Sequence, residues 1–516
     1  MIISLSVLVI TIIVSGTYAL YKAQLSKNIG VNTTTHGLAY YINYVKGTDI
    51  TAATLNSSTS YEGGASSDIE FWKKDDSYDI YGKIELTVNT IGTNLSNSPA
   101  LKYAVVNNGN VLKEGSLKGT TSGSKVTILK NLYLEQTKQI YTVYVWLDNS
   151  EELGNISNES LSISVDCTAS LQKEPTAADT IISLYTSAAK VTATNNSITY
   201  NTAPSVSLMN DRLGGTTTDL DGGNIRYYGA NPNNYIYFNC SDYSNQTSST
   251  CETWRIIGVF DGKLKLIKGS QIGTYSWDNK NTSTGAENNS GKNDWTTARL
   301  MKLLNPVDYY INDNNDKDSE GNYLGYSLYY NSTSGKCYSG KNNATVDCDF
   351  TSTGIKNDET RNMIAETTYN LGGWNTFTVY PNEIYEYERG TTVYTGRLPT
   401  WTGKIALAYP SDYGYAADLN QCVNKQLNKY NDSTCTSNNW MKSIITNNGS
   451  NDGWLLTPHS NYSYIAWGVI LSGIMGGNHA YYSSYGSAPV LYLSSELGIE
   501  SGVGDGSSSN PYKLSA

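Results

Sequence analysis

Histidine is scarce in this chain of 516 residues. Its three histidines, His36, His459 and His479, leave little material for a histidine-based metal site or a histidine-activated nucleophile. Charged residues make up only 16% of the chain, a low share for a cytosolic enzyme. Lys and Arg number 36 against 46 Asp and Glu, so the net charge is -10. This balance argues against a nucleic-acid partner, because such binding needs cations that neutralise phosphates.

Proline and phenylalanine are also few, at 11 and 5 residues, whereas the chain holds 43 tyrosines and 46 glycines. With abundant Asn, Ser and Thr, this profile suits short strands, turns and uncharged loops better than long helices. The hydrophobic share of 39% and the mean hydropathy of -0.40 exclude a polytopic membrane protein but suffice for packed cores. The length exceeds a single domain of ~150 residues several times over, so two or three domains are expected.

The chain begins with an apolar segment that carries no charge before Lys22. Residues 1–14 contain only two serines and one threonine among apolar side chains. We assign residues 1–24 to a signal peptide or membrane anchor. The apolar core is short for a spanning helix, which needs ~20 residues, and the sequence TYA at residues 17–19 offers a position for signal cleavage. A cleaved signal and a retained anchor both remain open, and either one predicts an exported protein.

Six of the seven cysteines fall into three close pairs. Each pair encloses a loop rich in Ser, Asn, Asp and Gly, which a disulfide would stabilise by ~3 kcal/mol. No pair has the C-x-x-C spacing of zinc or redox sites, so local disulfides are favoured over a metal site, although six cysteines permit other pairings. Neither a metal nor a cofactor is expected. The predicted disulfides are Cys240 with Cys251, Cys337 with Cys348, and Cys422 with Cys435, and Cys167 stands alone.

The first part of the chain reads as strands and turns. Five segments alternate apolar and polar residues, which predicts an antiparallel β-sandwich over residues 25–168. These segments are IYGKIELTV, ALKYAVV, SKVTIL, QIYTVYVWL and SLSISV. A capping-box pattern from Thr176 to Asp179 then opens a short helix. We interpret residues 169–223, with this helix, as a connector.

The part from residue 224 onward combines strands, short helices and long loops. Segments NYIYFNC, TWRIIGVF and KLKLIKG predict a meander, in which Asp261 and Gly262 form a hairpin turn. The segment NDWTTARLMKLLN predicts a helix that stops at Asn305 before a proline. Residues 224–516 are therefore predicted to form an α+β domain, and their long loops indicate a functional surface.

Two regions resemble known families. The segment YTVYVWLDNSEELGNISNESLSISV, together with a leader that contains GTYA at residues 16–19, resembles camelysin and related bacterial biofilm-fibre and spore-coat proteins. This resemblance implies the same β-sandwich for the first part of the chain. It also supports an alternative function, in which the protein is a structural biofilm-fibre or matrix subunit.

The second resemblance is carried by WRIIGVF, RLPTWTGKIALAYPSDYGYA, DGWLLTP, APVLYLSS and GDGSSSNPYKL, in that order. These motifs resemble a C-terminal module of bacterial surface proteins, similar to the C-type-lectin fold of formylglycine-generating enzymes and of variable proteins diversified by retroelements. The resemblance implies a multi-domain protein, with an all-β sandwich followed by an α+β C-type-lectin-like domain. One departure is that Ser487-Ala488-Pro489 precedes the closing strand where the family usually has Arg-Pro, which puts a basic anchoring contact in doubt.

In the variable proteins the ligand surface lies before the closing strand, which corresponds to residues 458–493 here. Tyr supplies rigid contact area there and Ser and Asn supply adaptable hydrogen bonds, as in antibody paratopes. Trp454 and Trp467 are instead predicted to be core. The opposing interpretation is that these tyrosines are ordinary strand residues of a Tyr-rich protein. The predicted ligand-binding residues are His459, Asn461, Tyr462, Tyr464, Asn478, His479, Tyr481, Tyr482 and Tyr485.

These observations predict a non-enzymatic, exported cell-surface protein that binds a protein or glycan ligand on another cell or on a host surface. Contact with the membrane would come through the N-terminal segment. A second alternative is an exported enzyme of the formylglycine-generating type. Such enzymes need reactive copper-binding cysteines, whereas the close cysteines here sit in loop-closing pairs, so no catalytic residue is assigned.

Overall fold

The computed structural model describes residues 23–25, 41–151, 153, 155–156, 159–213, 223–278, 290–309, 325–338, 345–500 and 502–515. Strands dominate and helices are few and short. Two compact units are present, Met1–Glu174 and Pro175–Ala516. Apart from residues 23 and 24, the predicted signal peptide or anchor lies outside the described residues. In the part of the chain that is described, no helix is long and apolar enough to cross a membrane.

The described residues of the first unit form eleven strands, one short α-helix, Thr93–Asn97, and two 3-10 turns, Ala52–Thr54 and Tyr61–Gly63. The strands are β1 (Ala23–Leu25), β2 (Ile42–Val45), β3 (Ile50–Thr51), β4 (Ser57–Ser58), β5 (Ala65–Lys73), β6 (Tyr81–Ile91), β7 (Leu101–Asn107), β8 (Asn110–Ser116), β9 (Lys125–Tyr133), β10 (Ile140–Asp148) and β11 (Leu161–Ser170). They form two sheets. One has the order β1-β11-β6-β9 with β3 beside β11, and the other has the order β2-β5-β10-β7-β8 with β4 beside β10.

The two sheets of the first unit share one hydrophobic core. Strand β5 buries alternate residues, and β6 does the same over most of its length, because successive side chains point to opposite faces of a strand. Phe71 and Val143 from one sheet and Ile84 and Val165 from the other are at most 1% exposed and belong to the same cluster. The two-layer arrangement agrees with the predicted β-sandwich. The five predicted segments fall on β6, β7, β9, β10 and β11.

The second unit is a mixed structure. Its strands are β12 (Val191–Asn195), β13 (Ile198–Ala203), β14 (Leu208–Asn210), β15 (Ile225–Tyr227), β16 (Tyr235–Phe238), β17 (Glu252–Phe260), β18 (Lys263–Lys268), β19 (Ser334–Tyr338), β20 (Thr345–Asp349), β21 (Thr367–Asn370), β22 (Thr400–Gly403), β23 (Ile405–Ala406), β24 (Gly453–Pro458), β25 (Ile465–Val469), β26 (Met475–His479), β27 (Val490–Tyr492), β28 (Gly498–Ile499) and β29 (Leu514–Ser515). Its α-helices are Ala177–Ser187, Arg299–Leu304, Asp358–Met363, Pro381–Glu388, Pro410–Tyr415, Ser433–Ser437 and Lys442–Ile445.

A nine-stranded sheet forms the centre of the second unit. Its order is β12-β13-β14-β15-β17-β18-β27-β23, with β16 paired to β17. The predicted meander is confirmed as β16, β17 and β18, and the left-handed φ of Asp261 (48°) and Gly262 (72°) closes the β17–β18 hairpin. The predicted helix is also present, as a 3-10 turn followed by Arg299–Leu304.

The predicted connector needs correction, because much of it belongs to the second unit. The helix Ala177–Ser187 has the expected cap, in which the hydroxyl of Thr176 accepts the Asp179 N–H. It buries Ile181 and Tyr185 in the core of the second unit, so it does not link free-standing domains. Strands β12, β13 and β14 then extend the central sheet. The boundary therefore falls between residues 174 and 175 and not near residue 224.

Candidate functional site

The predicted ligand strip lies on a three-stranded sheet of the second unit, with the order β24-β25-β26. Every residue of β24 is buried, and Trp454 and Trp467 are at most 1% exposed, as predicted for core residues. Ile465 pairs with His479 across β25 and β26. The turns that follow β24 and β26 carry the remaining predicted residues, so the sheet is a rigid support for its loops.

Six of the predicted residues form a continuous run of ring contacts, which we call the aromatic strip. Its members are His459, Tyr462, Tyr464, His479, Tyr481 and Tyr482. Consecutive ring centroids along this series are 4.9, 5.8, 4.8, 5.8 and 4.7 Å apart. Spacings of 4.5–7 Å are typical of favourable aromatic pairs. The strip is therefore a packed unit and not a set of separate side chains.

Exposure divides the aromatic strip into contact and supporting residues. Tyr462 is 48% exposed and Tyr482 is 37% exposed. Tyr481 is buried and stacks beneath Tyr482, with 16° between the two ring planes. His459 is buried beside Tyr462. Tyr462 and Tyr482 are thus the rings most available to a ligand, and their buried neighbours hold them in place.

Two other predicted residues lie beneath the surface of this region. Tyr485 is 3% exposed and stacks on Trp454, with ring centroids 4.2 Å apart. The Asn478 side chain donates a hydrogen bond to the Tyr485 hydroxyl at 3.2 Å. Burial raises the pKa of Tyr485 to about 12. The structure therefore places Tyr485 in a supporting position, while Asn461 is exposed beside the aromatic strip.

His459 is held in its neutral form. Burial lowers the pKa of its imidazole below the ordinary value of 6.5. Its Nδ1 accepts the N–H of Asn461 at 3.2 Å, and its ring contacts Phe377 with centroids 5.7 Å apart. A neutral imidazole that accepts a hydrogen bond from a loop N–H restricts the conformation of that loop. This geometry fits a structural part in the strip.

Asn293 organises the loop that carries the strip, and no local pattern had indicated a part for it in the site. It is 1% exposed, and its Nδ2 lies 2.7–3.1 Å from the carbonyl oxygens of His459, Tyr462 and Ile465. Its own N–H donates to the carbonyl of Ser463 at 2.8 Å. One buried amide therefore fixes the path of the chain from β24 to β25.

A second loop, residues 373–378, flanks the strip and was also missed. The carbonyl of Trp374 accepts the N–H of Ser460 at 3.1 Å. Phe377 packs on Trp467, with ring centroids 4.7 Å apart, as well as on His459. Trp374 itself stacks on Tyr387 at 3.7 Å. Residues far apart in sequence thus extend the aromatic surface.

The strip lies in a stretch without any charged side chain. No Asp, Glu, Lys or Arg occurs between Gly453 and Ser495, although 16% of the whole chain is charged. Two charged residues contact this stretch from outside it: the Nη2 of Arg397 donates to the carbonyl of Ser463 at 3.3 Å, and the Oδ1 of Asp452 accepts the N–H of Leu471 at 2.8 Å. The arrangement therefore offers ring faces, hydroxyls and amides to a ligand, and little electrostatic attraction.

Strongly perturbed ionisable groups occur elsewhere, in the core of the second unit. The Arg226 guanidinium bonds Asp211 at 2.5 Å and Asp412 at 3.1 Å, and Lys265 bonds the other oxygen of Asp412 at 2.5 Å. All four side chains are at most 1% exposed. Burial lowers the pKa of Lys265 to about 8. Because these groups are buried, each charge depends on its partners for compensation, and the cluster contributes to the stability of the second unit.

Glu388 and Arg389 form a second ion pair near this cluster, with 3.2 Å between Oε2 and Nη1. Burial raises the pKa of Glu388 to about 7, although its carboxylate accepts the N–H and hydroxyl of Ser411. The network was missed because its members are scattered along the sequence. Among the described residues, no group of three His, Cys, Asp or Glu side chains could hold a metal ion.

All three predicted disulfides are present. They join Cys240 to Cys251, Cys337 to Cys348 and Cys422 to Cys435. Cys167 is free and buried in the first unit. Disulfides persist in oxidising compartments, so this pattern is consistent with an exported protein.

Comparisons with known proteins do not extend these findings. The sequence matches no model of a known protein family. It also matches no curated protein. A solved structure described as the crystal structure of an HCR/D mutant is 11% identical, over 50% of this chain and 76% of that one. Its TM-score is 0.14, so the likeness carries no argument about fold or function.

Proposed function

We propose that this protein is an exported, non-enzymatic cell-surface protein, adhesin-like or receptor-like, that binds a protein or glycan through its aromatic strip. Its second unit would be a C-type-lectin-like display domain, and the segment before residue 25 would tether it to the membrane. The observation that carries the proposal is the continuous run of rings from His459 to Tyr482, in which Tyr462 and Tyr482 are exposed.

The physical properties of the strip favour recognition over catalysis. Tyrosine supplies a large contact area at a low cost in conformational entropy, because it has only two rotatable side-chain bonds. The rings are already packed on Tyr481 and His459, so little ordering remains to be done when a ligand binds. An uncharged surface further predicts that binding changes little between low and high salt, unlike binding driven by ion pairs.

Capture on an array of glycans and surface proteins tests the proposal. Replacing Tyr462, Tyr464, Tyr481 and Tyr482 together by alanine should abolish capture. A milder variant, Tyr462→Ala with Tyr482→Ala, removes only the exposed rings and leaves the buried support intact. We expect it to weaken capture at least tenfold, because aromatic anchors each contribute more than about 1 kcal/mol. Thermal unfolding would show that the fold is retained.

The matched control is Tyr78→Ala, which removes a tyrosine of similar exposure, 45%, from the first unit. It should leave capture unchanged. Unchanged capture by the Tyr462→Ala, Tyr482→Ala variant would refute the assignment of the site. The resemblance to the variable proteins also implies that a retroelement diversifies the strip. In that case a template repeat and a reverse transcriptase gene should lie in the neighbouring DNA, near the 3′ end of the gene.

A second candidate function, a fibre or matrix subunit, is favoured by one edge of the sandwich. Strand β8 pairs with β7 alone among the described strands and so ends its sheet. It leaves Val111 43% and Leu112 39% exposed. An exposed apolar edge strand is a template for pairing with another chain. Sedimentation across a concentration series tests this candidate, since an ectodomain that remains monomeric throughout would rule it out, and Val111→Lys should block any assembly through β8.

A further inference from the structure

An open cleft lies in the second unit, lined by residues that no argument above has used. Its volume is about 590 Å³. The floor is contributed by Arg255 on β17, Lys268 at the end of β18, and Ile444 in the helix Lys442–Ile445. These three side chains are largely buried. Arg255 pairs with Ile267 and Lys268 with Trp254 across β17 and β18, so the two cations lie on opposite faces of the sheet. The cleft therefore offers one buried guanidinium, that of Arg255, on its own face.

Arg255 is a buried cation without a carboxylate partner among the described residues. Its Nε donates to the Asn234 side-chain oxygen at 2.5 Å and its Nη2 to the carbonyl of Pro232 at 3.3 Å, and both acceptors are neutral. The guanidinium lies over the ring of Tyr235 at 3.7 Å and near that of Trp440 at 4.8 Å. These contacts fix the position of the Arg255 guanidinium but do not neutralise its charge.

The second cation has a carboxylate partner on its own face of the sheet. Lys268 forms an ion pair with Glu252, whose carboxylate also accepts the indole N–H of Trp254 at 3.0 Å. Burial lowers the pKa of Arg255 to about 10. A bound anion would offset this cost of burial at Arg255, which has no carboxylate partner among the described residues.

Apart from Glu252, which is paired with Lys268, the walls of the cleft are polar and uncharged. Thr253, Ser270, Thr353 and Ser443 are exposed and bring hydroxyl groups to the cleft. Gln271 is held in place, because its Nε2 donates to the carbonyl of Ile445 at 2.6 Å and its Oε1 accepts from Asn451 at 2.9 Å. Such a rim suits a ligand that carries hydroxyls of its own.

We propose that this cleft binds a small polyhydroxylated anion, such as a uronic acid or a sugar phosphate, with its anionic group at Arg255 and its hydroxyls at the serine and threonine walls. The site is distinct in composition from the uncharged aromatic strip, and the proposal does not depend on the function of the strip. A charge-assisted contact to a buried guanidinium is the strong kind of hydrogen bond, which makes the anion the main source of affinity.

Titration of the full chain with glucuronate, glucose 6-phosphate, inorganic phosphate and glucose tests the proposal. We expect glucuronate or glucose 6-phosphate to bind and glucose to bind at least tenfold more weakly, because a charge-assisted bond would be lost. Binding of the sugar phosphate alone would identify the anion as phosphate, and binding of glucuronate alone would identify it as carboxylate. Equal binding of glucose, or no binding of either anion, would overturn the proposal.

A matched set of variants locates the site without disturbing the buried cations. Ser270→Glu places a negative charge at the wall and should weaken anion binding at least tenfold, whereas Ser270→Gln should change it less than threefold. Thr391→Glu adds the same charge at an exposed position outside the cleft and should have no effect. If Ser270→Glu binds the anion as the unaltered protein does, the cleft is not the site. If inorganic phosphate competes as well as the sugar anions, the part assigned to the hydroxyl walls is wrong.

Discussion

Lys265 and Asp412 form an ion pair, with 2.5 Å between Nζ and Oδ2, in which neither side chain is more than 1% exposed. Asp412 also bonds Arg226 at 3.1 Å, and its Oδ2 accepts the N–H of Tyr409 at 3.0 Å. The pair therefore joins β18 to the helix Pro410–Tyr415. Because a buried ion must be compensated by its neighbours, each partner depends on the other.

Removing the cation of this pair should destabilise the second unit. We expect Lys265→Met to lower the free energy of unfolding by about 3 kcal/mol or more, because Asp412 is left buried with one cation fewer. Urea denaturation measures the loss. The control is Lys263→Met, two residues away on β18, which has no ion pair with any other described residue and should cost within about 0.5 kcal/mol. A loss below about 1 kcal/mol for Lys265→Met would show that the methionine packs without penalty.

Glu388 should make stability depend on pH between about 4.5 and 7. Burial raises its pKa from 4.5 to about 7, so across this window the folded protein holds a proton that the unfolded chain has released. The stability that this group contributes is therefore present at low pH and is lost as the pH rises through 7. Relative to Glu388→Gln, which does not titrate, the protein should lose up to about 3 kcal/mol across the window.

Lys265 should give the opposite pH dependence, which distinguishes its effect on stability from that of Glu388. Its pKa is lowered from 10.5 to about 8, so between these values the unfolded chain binds the extra proton and stability rises with pH. Chemical denaturation of the protein, of Glu388→Gln and of Lys265→Met over pH 4.5–10 tests this. Glu388→Gln should alter the pH dependence of the unfolding free energy only below about pH 7, and Lys265→Met only above about pH 8. An effect of Glu388→Gln confined to alkaline pH would contradict this assignment.

Local patterns predicted much of the fold, and the exceptions have physical reasons. The five sandwich strands that alternate clearly were found, and Asp261-Gly262 marked a hairpin because both residues adopt positive φ. Strand β5 was missed because Ser and Asp occupy its first positions, and β8 because its apolar residues face solvent at a sheet edge. The helix from Ala177 was found, but its place in the second core depends on tertiary contacts that no local pattern carries.

The candidate site, like the fold, could be predicted only in part. The resemblance to the variable proteins and the Tyr/Asn/Ser composition pointed to the residues of the aromatic strip, but they did not distinguish the exposed Tyr482 from the buried Tyr485, because both occupy one Tyr/Ser-rich run. Asn293 and Phe377 lie many residues away and reach the strip only through the fold. Arg255 could not be recognised as lacking a carboxylate partner until its neighbours were placed.

The pattern of the cysteines gives a third prediction. Cys167 is 0% exposed in the core of the sandwich, and burial raises its pKa well above the ordinary value, so its thiolate is both inaccessible and scarce. Under native conditions without reductant, a maleimide should label no cysteine among those in the described residues. In denaturant it should label Cys167 alone, and peptide mass spectrometry should recover the three disulfides. Rapid labelling of Cys167 in the native protein would mean that the core of the first unit opens readily.

The last prediction concerns the support of the aromatic strip. Asn293→Ala removes the amide that lies against the carbonyls of His459, Tyr462 and Ile465, and these would be left without that partner in a buried place. We expect a loss of about 2 kcal/mol in unfolding free energy and faster proteolysis of the 459–465 loop. Ligand capture should fall although no contact ring is altered, because Tyr462 is no longer held beside His459. Asn461→Ala, an exposed position in the same loop, should cost less than about 0.5 kcal/mol. If Asn293→Ala keeps both its loop protection and its capture, the strip is held by its ring contacts alone.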